Sequence, residues 1–191
     1  MNTKIVIAGV GGQGILLASD ILCEVAMKSG LDAKKSEVHG MSQRGGDVVS
    51  HVIFGEKVYS PLISYEEADV ILAFEQVEAL RNLDYLKSDG VIIVNKAKIL
   101  PVPVASGLAD YPKDPIGEVK KFAKNTIVID AEEIAKELGN SRVMNVVLLG
   151  IMAKNVKGID KDIWIETLKE SVPQKTIDVN VKAFERGYGY S

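Results

Sequence analysis

The apolar run Ile5-Val6-Ile7-Ala8 passes straight into a glycine-rich turn, Gly9-Val10-Gly11-Gly12-Gln13-Gly14, and from there into Ile15-Leu16-Leu17. A short unbroken run of β-branched residues predicts a strand buried on both faces, here about Lys4 to Ala8. The residues after the turn predict a helix from near Gly14 to Ser29. Leu17, Ile21, Leu22 and Val25 recur at helical spacing, Lys28 sits in the last turn and Gly30 lies just past the end. A buried strand that turns this tightly into a helix starts a βα unit. Parallel strands need long crossovers, and helices usually supply them.

The alternation continues along the chain. Strands are expected at Ala33 to Val38, Val48 to Phe54, Asp69 to Phe74, Gly90 to Val94 and Thr126 to Ile129. Gly55-Glu56-Lys57 is expected to turn the Val48 to Phe54 strand back into Val58-Tyr59 as a local antiparallel hairpin. A helix carrying Val77, Leu80, Leu83 and Leu86 follows the strand that ends at Phe74. Pro101-Val102-Pro103-Val104 is expected to be an edge or extended connection, since each proline removes a ladder donor. Asp114 then caps a short helix with Pro115 at its first position, and Asp130-Ala131-Glu132-Glu133 opens another that stops at Gly139. From Ser141 onward the pattern is helical: Ser141 caps a segment from Arg142 to about Val156, Asp160 opens one through Trp164 and Leu168, and Thr176 to Arg186 forms the last. Val146 to Met152 is apolar nearly all round, which means burial against the sheet or another subunit. The expected fold class is α/β: a Rossmann-like, mostly parallel sheet with flanking helices, a local antiparallel hairpin and a helical C-terminal region from about 141 to 191, all in one domain spanning 1–191.

The 191 residues carry a net charge of −3, with basic residues scattered among acidic ones, so a nucleic-acid partner is disfavoured. Cys23 is the only cysteine. The chain therefore forms no intrachain disulfide, no all-cysteine iron–sulfur site and no CxxC zinc pair, and Cys23 reads as a buried, inert thiol. Met1-Asn2-Thr3-Lys4 runs into the first strand without a secretory leader, and the apolar stretches fall short of the roughly 20 residues that cross a bilayer. A cytoplasmic protein with no membrane contact is expected. No residue stands out as a catalytic group or metal ligand.

Gly9-x-Gly11-x-x-Gly14 matches the dinucleotide-binding fingerprint in the required strand–turn–helix context. Three uses remain open: a bound dinucleotide, a packing turn between helix and sheet, and a site or interface shared with another chain. The fingerprint also asks for an acidic residue about 20 positions on. Glu37, 23 positions past Gly14, is the candidate, although its strand also carries Lys34 and Lys35. A second segment, His39-Gly40-Met41-Ser42-Gln43-Arg44-Gly45-Gly46, offers imidazole, hydroxyl, amide and guanidinium groups on glycine-loosened backbone. Arg44 has the planar donor fork that grips carboxylate or phosphate. His51, in an alternating strand, is read as a hydrogen-bonded core histidine, and Asn145, on the most apolar helix, needs a partner if buried.

The segment Glu37-Val38-His39-Gly40-Met41-Ser42-Gln43-Arg44-Gly45-Gly46, with Gly11-Gly12-Gln13-Gly14 before it, resembles the small subunit of indolepyruvate:ferredoxin oxidoreductases, within the gamma-type domains of 2-oxoacid:ferredoxin oxidoreductases. The likeness covers essentially the whole chain in length and element order. Its specific part is the two motifs. Related pyruvate and 2-oxoglutarate enzymes carry an Arg-Gly-Gly element without the Gly-Met-Ser-Gln lead, so the version here favours the aryl-pyruvate branch. The resemblance implies a subunit inactive alone, whose large (alpha) partner carries thiamine diphosphate, Mg and [4Fe-4S] clusters. The complex would use CoA to convert aryl pyruvates to aryl-acetyl-CoA and pass electrons to ferredoxin. The chain agrees by lacking a Gly-Asp-Gly…Asn thiamine–magnesium motif. Gly9, Gly11, Gly12, Gln13, Gly14 and His39 to Gly46 are then the candidates for contact with the large subunit or with CoA. The alternatives are the gamma subunit of a pyruvate or branched-chain 2-oxoacid enzyme and a self-contained dinucleotide-binding module.

Overall fold

The computed structural model describes residues 2–40 and 46–190. Along the chain the strands are β1 (Thr3–Val10), β2 (Asp32–His39), β3 (Asp47–Gly55), β4 (Ala68–Ala73), β5 (Leu86–Asn95) and β6 (Asn125–Ile129). They form one sheet in the order β2-β3-β1-β4-β5-β6. β1, β4, β5 and β6 pair in parallel, whereas β3 runs antiparallel to β1 on one side and to β2 on the other. Only β3 is reversed.

The helices are α1 (Ile15–Lys28), α2 (Gln76–Arg81), α3 (Val102–Ala105), α4 (Pro115–Phe122), α5 (Ala131–Glu137), α6 (Met144–Asn155), α7 (Lys161–Ser171) and α8 (Ile177–Tyr188). Alternate strand residues point to opposite faces, and each face has its own core. Ile5, Ile7, Val70, Leu72 and Ile93 pack with Ile21 and Leu22 of α1, Leu148 of α6, Trp164 of α7 and Phe184 of α8. Val6, Ile71, Ile92 and Val94 pack with Ala79 of α2 and Val119 of α4. Double-sided cover is why the strands read as continuous apolar runs.

The C-terminal helices seat α6 deep in the larger core, where every residue from Met144 to Ala153 is buried. Two glycines let α8 lie directly on it. A Cβ at Gly187 would stand 1.9 Å from the Val147 carbonyl oxygen, and one at Gly150 would stand 2.2 Å from that of Phe184.

Several expectations need correction. Val58-Tyr59 forms no strand: the Val58 N–H donates to Asp32 Oδ2 at 2.9 Å, which draws the chain out of the sheet. The antiparallel pairing comes instead from β3 lying between β2 and β1. The helix expected through Leu86 ends at Arg81; Leu83 falls in a 3-10 turn and Leu86 begins β5. Pro101 to Val104 is not extended, because Pro101 caps α3 and Pro103 lies in its first turn, where a missing N–H leaves no helical bond unmade. Asn140, not Ser141, caps the turn before α6, accepting from the Arg142 N–H at 3.0 Å. The caps at Asp114 and Asp130 form as expected, accepting from Gly117 N and Glu133 N.

Candidate functional site

Both glycine-bearing loops open at one pole of the sheet. Val10 at the end of β1 pairs with Asp47 at the start of β3, and His39 at the end of β2 pairs with Val48. Ligands of open α/β sheets bind at this carboxyl-end pole. The Gly11 N–H donates to the Gly46 carbonyl at 2.9 Å, and the Gly40 N–H donates to the Asp47 carbonyl at 2.8 Å. The first bond ties the first turn to the far end of the second loop, and the second closes that loop at its base. Gly11, Gly12, Gly14, His39, Gly40 and Gly46, with Ile15, Leu16, Asp47 and Val48, line a cleft of about 750 Å³. Met41, Ser42, Gln43, Arg44 and Gly45 lie outside the described residues.

The first turn holds its shape through several distinct contacts. Gly9 is a packing glycine, since a Cβ there would meet the Phe74 Cβ at 2.7 Å. Gly12 and Gly14 take φ of +98° and +85°, a left-handed conformation that side-chain-bearing residues adopt at a cost. Gln13 is turned inward. Its Oε1 accepts from the Val10 N–H at 2.8 Å and its Nε2 donates to the Phe74 carbonyl at 3.0 Å, so it clamps the end of β1 to the end of β4.

This geometry weighs against a dinucleotide. In the fold to which the fingerprint belongs, the second strand lies beside the first and presents its acidic residue to a ribose. Here the reversed β3 occupies that place, and Glu37 sits one strand further out with its carboxylate held by Lys35 Nζ at 2.7 Å. A polar cluster that sequence reasoning missed stands at the same pole. The fully buried Glu75 caps α2, its Oε2 accepting from Val77 N and Glu78 N at 2.6 and 3.0 Å. Its Oε1 accepts from the Tyr111 hydroxyl at 2.6 Å and from Ile99 N at 3.2 Å, which fastens the segment after β5 to the sheet. Burial, then the Glu75 carboxylate, push the Tyr111 phenol well above its usual range. Burial likewise pushes the Glu78 carboxyl up to about 6, against the pull of Arg81, 3.2 Å away. The available signal was the carboxylate pair at Glu75 and Glu78, spaced like an N-cap and third helical residue directly after an apolar strand.

Asn95 joins three elements, donating to the Phe74 carbonyl at 3.1 Å and accepting from Ala131 N at 3.1 Å. His51 is a core residue as expected. Its Nδ1 accepts from Ile63 N at 3.2 Å, and burial lowers its pKa. Burial pushes the Cys23 thiol up to about 11, which keeps it protonated and unreactive. One cysteine does not supply the four thiolates of a cluster. Among the described residues, no group of three or more His, Cys, Asp or Glu side chains is placed to hold a metal ion, and no helix is long and apolar enough to cross a membrane.

Comparison with known proteins agrees with the two-motif resemblance. The family model described as pyruvate ferredoxin/flavodoxin oxidoreductase matches residues 4–190. The chain is 46% identical to the indolepyruvate oxidoreductase subunit IorB of Thermococcus kodakarensis over 190 residues, covering 96% of this chain and 93% of that one. It is 31% identical to the ketoisovalerate oxidoreductase subunit VorA of Methanothermobacter marburgensis, where the match covers 97% of this chain and 36% of that protein. The crystal structure of a keto/oxoacid ferredoxin oxidoreductase gamma subunit from Geobacter sulfurreducens superposes with a TM-score of 0.73 at 26% identity, covering 97% of this chain and 96% of that one. Paired glycine loops at one pole of a largely parallel sheet, matched over nearly the full length, place the chain in the pyruvate ferredoxin/flavodoxin oxidoreductase family as a gamma-type subunit of a 2-oxoacid:ferredoxin oxidoreductase.

Proposed function

We propose that this chain is the small subunit of an indolepyruvate:ferredoxin oxidoreductase acting in the cytoplasm, and that it works as one domain docked on a large subunit. The assembled enzyme would convert an aryl pyruvate and CoA to an aryl-acetyl-CoA and CO2, with the two electrons released passing to ferredoxin. Thiamine diphosphate, Mg and [4Fe-4S] clusters belong to the large subunit in this reading, since one cysteine here fits no cluster. The observation that carries the proposal is the meeting of the two motifs: the Gly11 to Gly46 bond brings them together around one cleft. That cleft is lined by backbone, imidazole and carboxylate groups, and by apolar Ile15, Leu16 and Val48. It is suited to receiving a partner surface or CoA rather than to breaking carbon–carbon bonds. The substrate assignment leans on the 46% identity to an indolepyruvate oxidoreductase subunit, against 31% to a ketoisovalerate oxidoreductase subunit.

Co-expression with the large subunit of an indolepyruvate:ferredoxin oxidoreductase tests the reading. The expected result is a brown complex that turns over indolepyruvate faster than pyruvate or 2-oxoisovalerate, and a colourless, inactive small subunit when purified alone. Activity of the lone chain on any 2-oxoacid refutes the proposal, and preference for 2-oxoisovalerate replaces it with the branched-chain reading that the VorA match favours. Arg44 enters on its chemistry alone: Arg44→Ala should raise the KM for CoA or weaken assembly. Unchanged kinetics with intact assembly would remove the second loop from the interface.

A further inference from the structure

The segment that joins β5 to α4 is unusual in composition. No charged residue occurs between Lys98 and Asp110, and Ser106 is the only polar side chain there. Such a run belongs in a core, yet none of it is buried: Leu100, Val102 and Leu108 are 48%, 67% and 84% exposed. Large apolar side chains scattered singly over a surface are ordinary, but three on one short uncharged segment mark a contact surface.

The segment is also held in shape. α3 and the turn after it close on themselves, the Leu108 N–H donating to the Pro103 carbonyl at 2.8 Å. Both feet are pinned by one oxygen of the buried Glu75, whose Oε1 accepts from Ile99 N at 3.2 Å and from the Tyr111 hydroxyl at 2.6 Å. Lys98 Nζ lies 4.4 Å from the centre of the Tyr111 ring and adds a third tie. An apolar surface fixed in advance loses little conformational freedom when a partner covers it.

Its position names the partner. Pro101, Val102 and Pro103 line a cleft of about 220 Å³ together with Gly46 and Asp47, which also line the larger cleft between the glycine loops. The segment therefore extends the surface that the proposed function offers to the large subunit. The match to the ketoisovalerate oxidoreductase subunit fills only 36% of that protein, so a domain of this kind is there continuous with further chain. Permanent interfaces are more apolar than transient ones, and charged residues are depleted at their centres.

We infer that Leu100, Val102 and Leu108 form an apolar contact with the large subunit, continuous with the glycine cleft. The inference rests on the proposed subunit role and adds the residues that make the contact. Its test measures the affinity of the full chain for the large subunit, with Val102→Asp and Leu108→Asp set against Phe122→Asp. Phe122 is 74% exposed and ends α4 just before β6 begins, at the opposite pole of the sheet. Both test positions are exposed, so the lone variants should melt with the parent. Val102→Asp and Leu108→Asp are expected to weaken assembly roughly tenfold or more, and Phe122→Asp to leave it within about twofold. Parent-like assembly of both test variants, or an equal loss in Phe122→Asp, overturns the inference while the subunit role stands. The same follows if the lone parent dimerises and the test variants turn monomeric with unchanged affinity for the large subunit, which would make this a contact between copies of the chain. A parent chain that does not bind the large subunit at all overturns both.

Discussion

Replacing Gly187 by alanine puts the packing of α8 on α6 to a direct test. A methyl group there would lie 1.9 Å from the Val147 carbonyl oxygen, 2.9 Å from its carbon and 3.2 Å from the Ile151 nitrogen. All three are backbone atoms of a buried helix, so none can rotate aside. To restore ordinary van der Waals separation, α8 would have to withdraw by roughly 1.5 Å, opening the contact along its length. Overpacking of this kind costs about 3 kcal/mol at the upper end of its usual range. Alanine's better helix propensity returns about 1 kcal/mol. The net loss is about 2 kcal/mol, a fall in melting temperature of about 4–8 °C for a chain of this size. Gly189→Ala is the control, because its Cβ would lie 3.3 Å from the nearest atom, the Glu185 carbonyl oxygen, and its backbone has φ −81°. It should stay within about 0.5 kcal/mol of the parent. Thermal unfolding followed by far-UV circular dichroism reads both. If Gly187→Ala melts at or above the parent temperature, or if both variants fall equally, the close approach of these helices is not what the structure describes.

Glu78 carries a pH signature. Its folded pKa, raised by burial to about 6, exceeds the ordinary 4.5, so its contribution is fully present below about 4.5 and is lost as pH rises through 6. Glu78→Gln removes that titration and should gain about 2 kcal/mol on the parent between pH 4.5 and pH 7.5 in urea unfolding; an equal difference at both pH values would refute it. Gln13→Glu keeps an acceptor for Val10 N but sets a second carboxylate oxygen against the Phe74 carbonyl, where the amide donated at 3.0 Å. A loss of about 1–3 kcal/mol at pH 7, recovered on acidification as the carboxyl regains a proton to donate, should appear in thermal melts. Stability independent of pH would show that the clamp is not formed.

The strands were legible because burial on both faces writes itself as β-branched runs, and the caps at Asp114 and Asp130 because they act within one helical turn. Pairing order was not. Nothing within Val48 to Phe54 states that this strand lies between β2 and β1, since its apolar pattern would suit any interior position. The hairpin expected at Gly55-Glu56-Lys57 failed for a long-range reason: Asp32 takes the Val58 N–H. The left-handed turn at Gly12 and Gly14 follows from glycine chemistry. The inward clamp of Gln13, the Glu75 to Tyr111 bond and the approach of Asn145 to Gly14 join residues far apart in the chain and needed the fold to appear.

β2 ends the sheet on one side, and it does so with Lys34, Lys35 and Glu37 along it, Lys35 bridging Asp20 and Glu37. A terminal strand studded with paired charge is a poor template for another strand. A polypeptide released from the ribosome before its companion is thereby guarded against zipping onto its own copies and against fibril growth from that border. That border of the sheet is thus closed to self-pairing at the step where a lone subunit is most exposed to error.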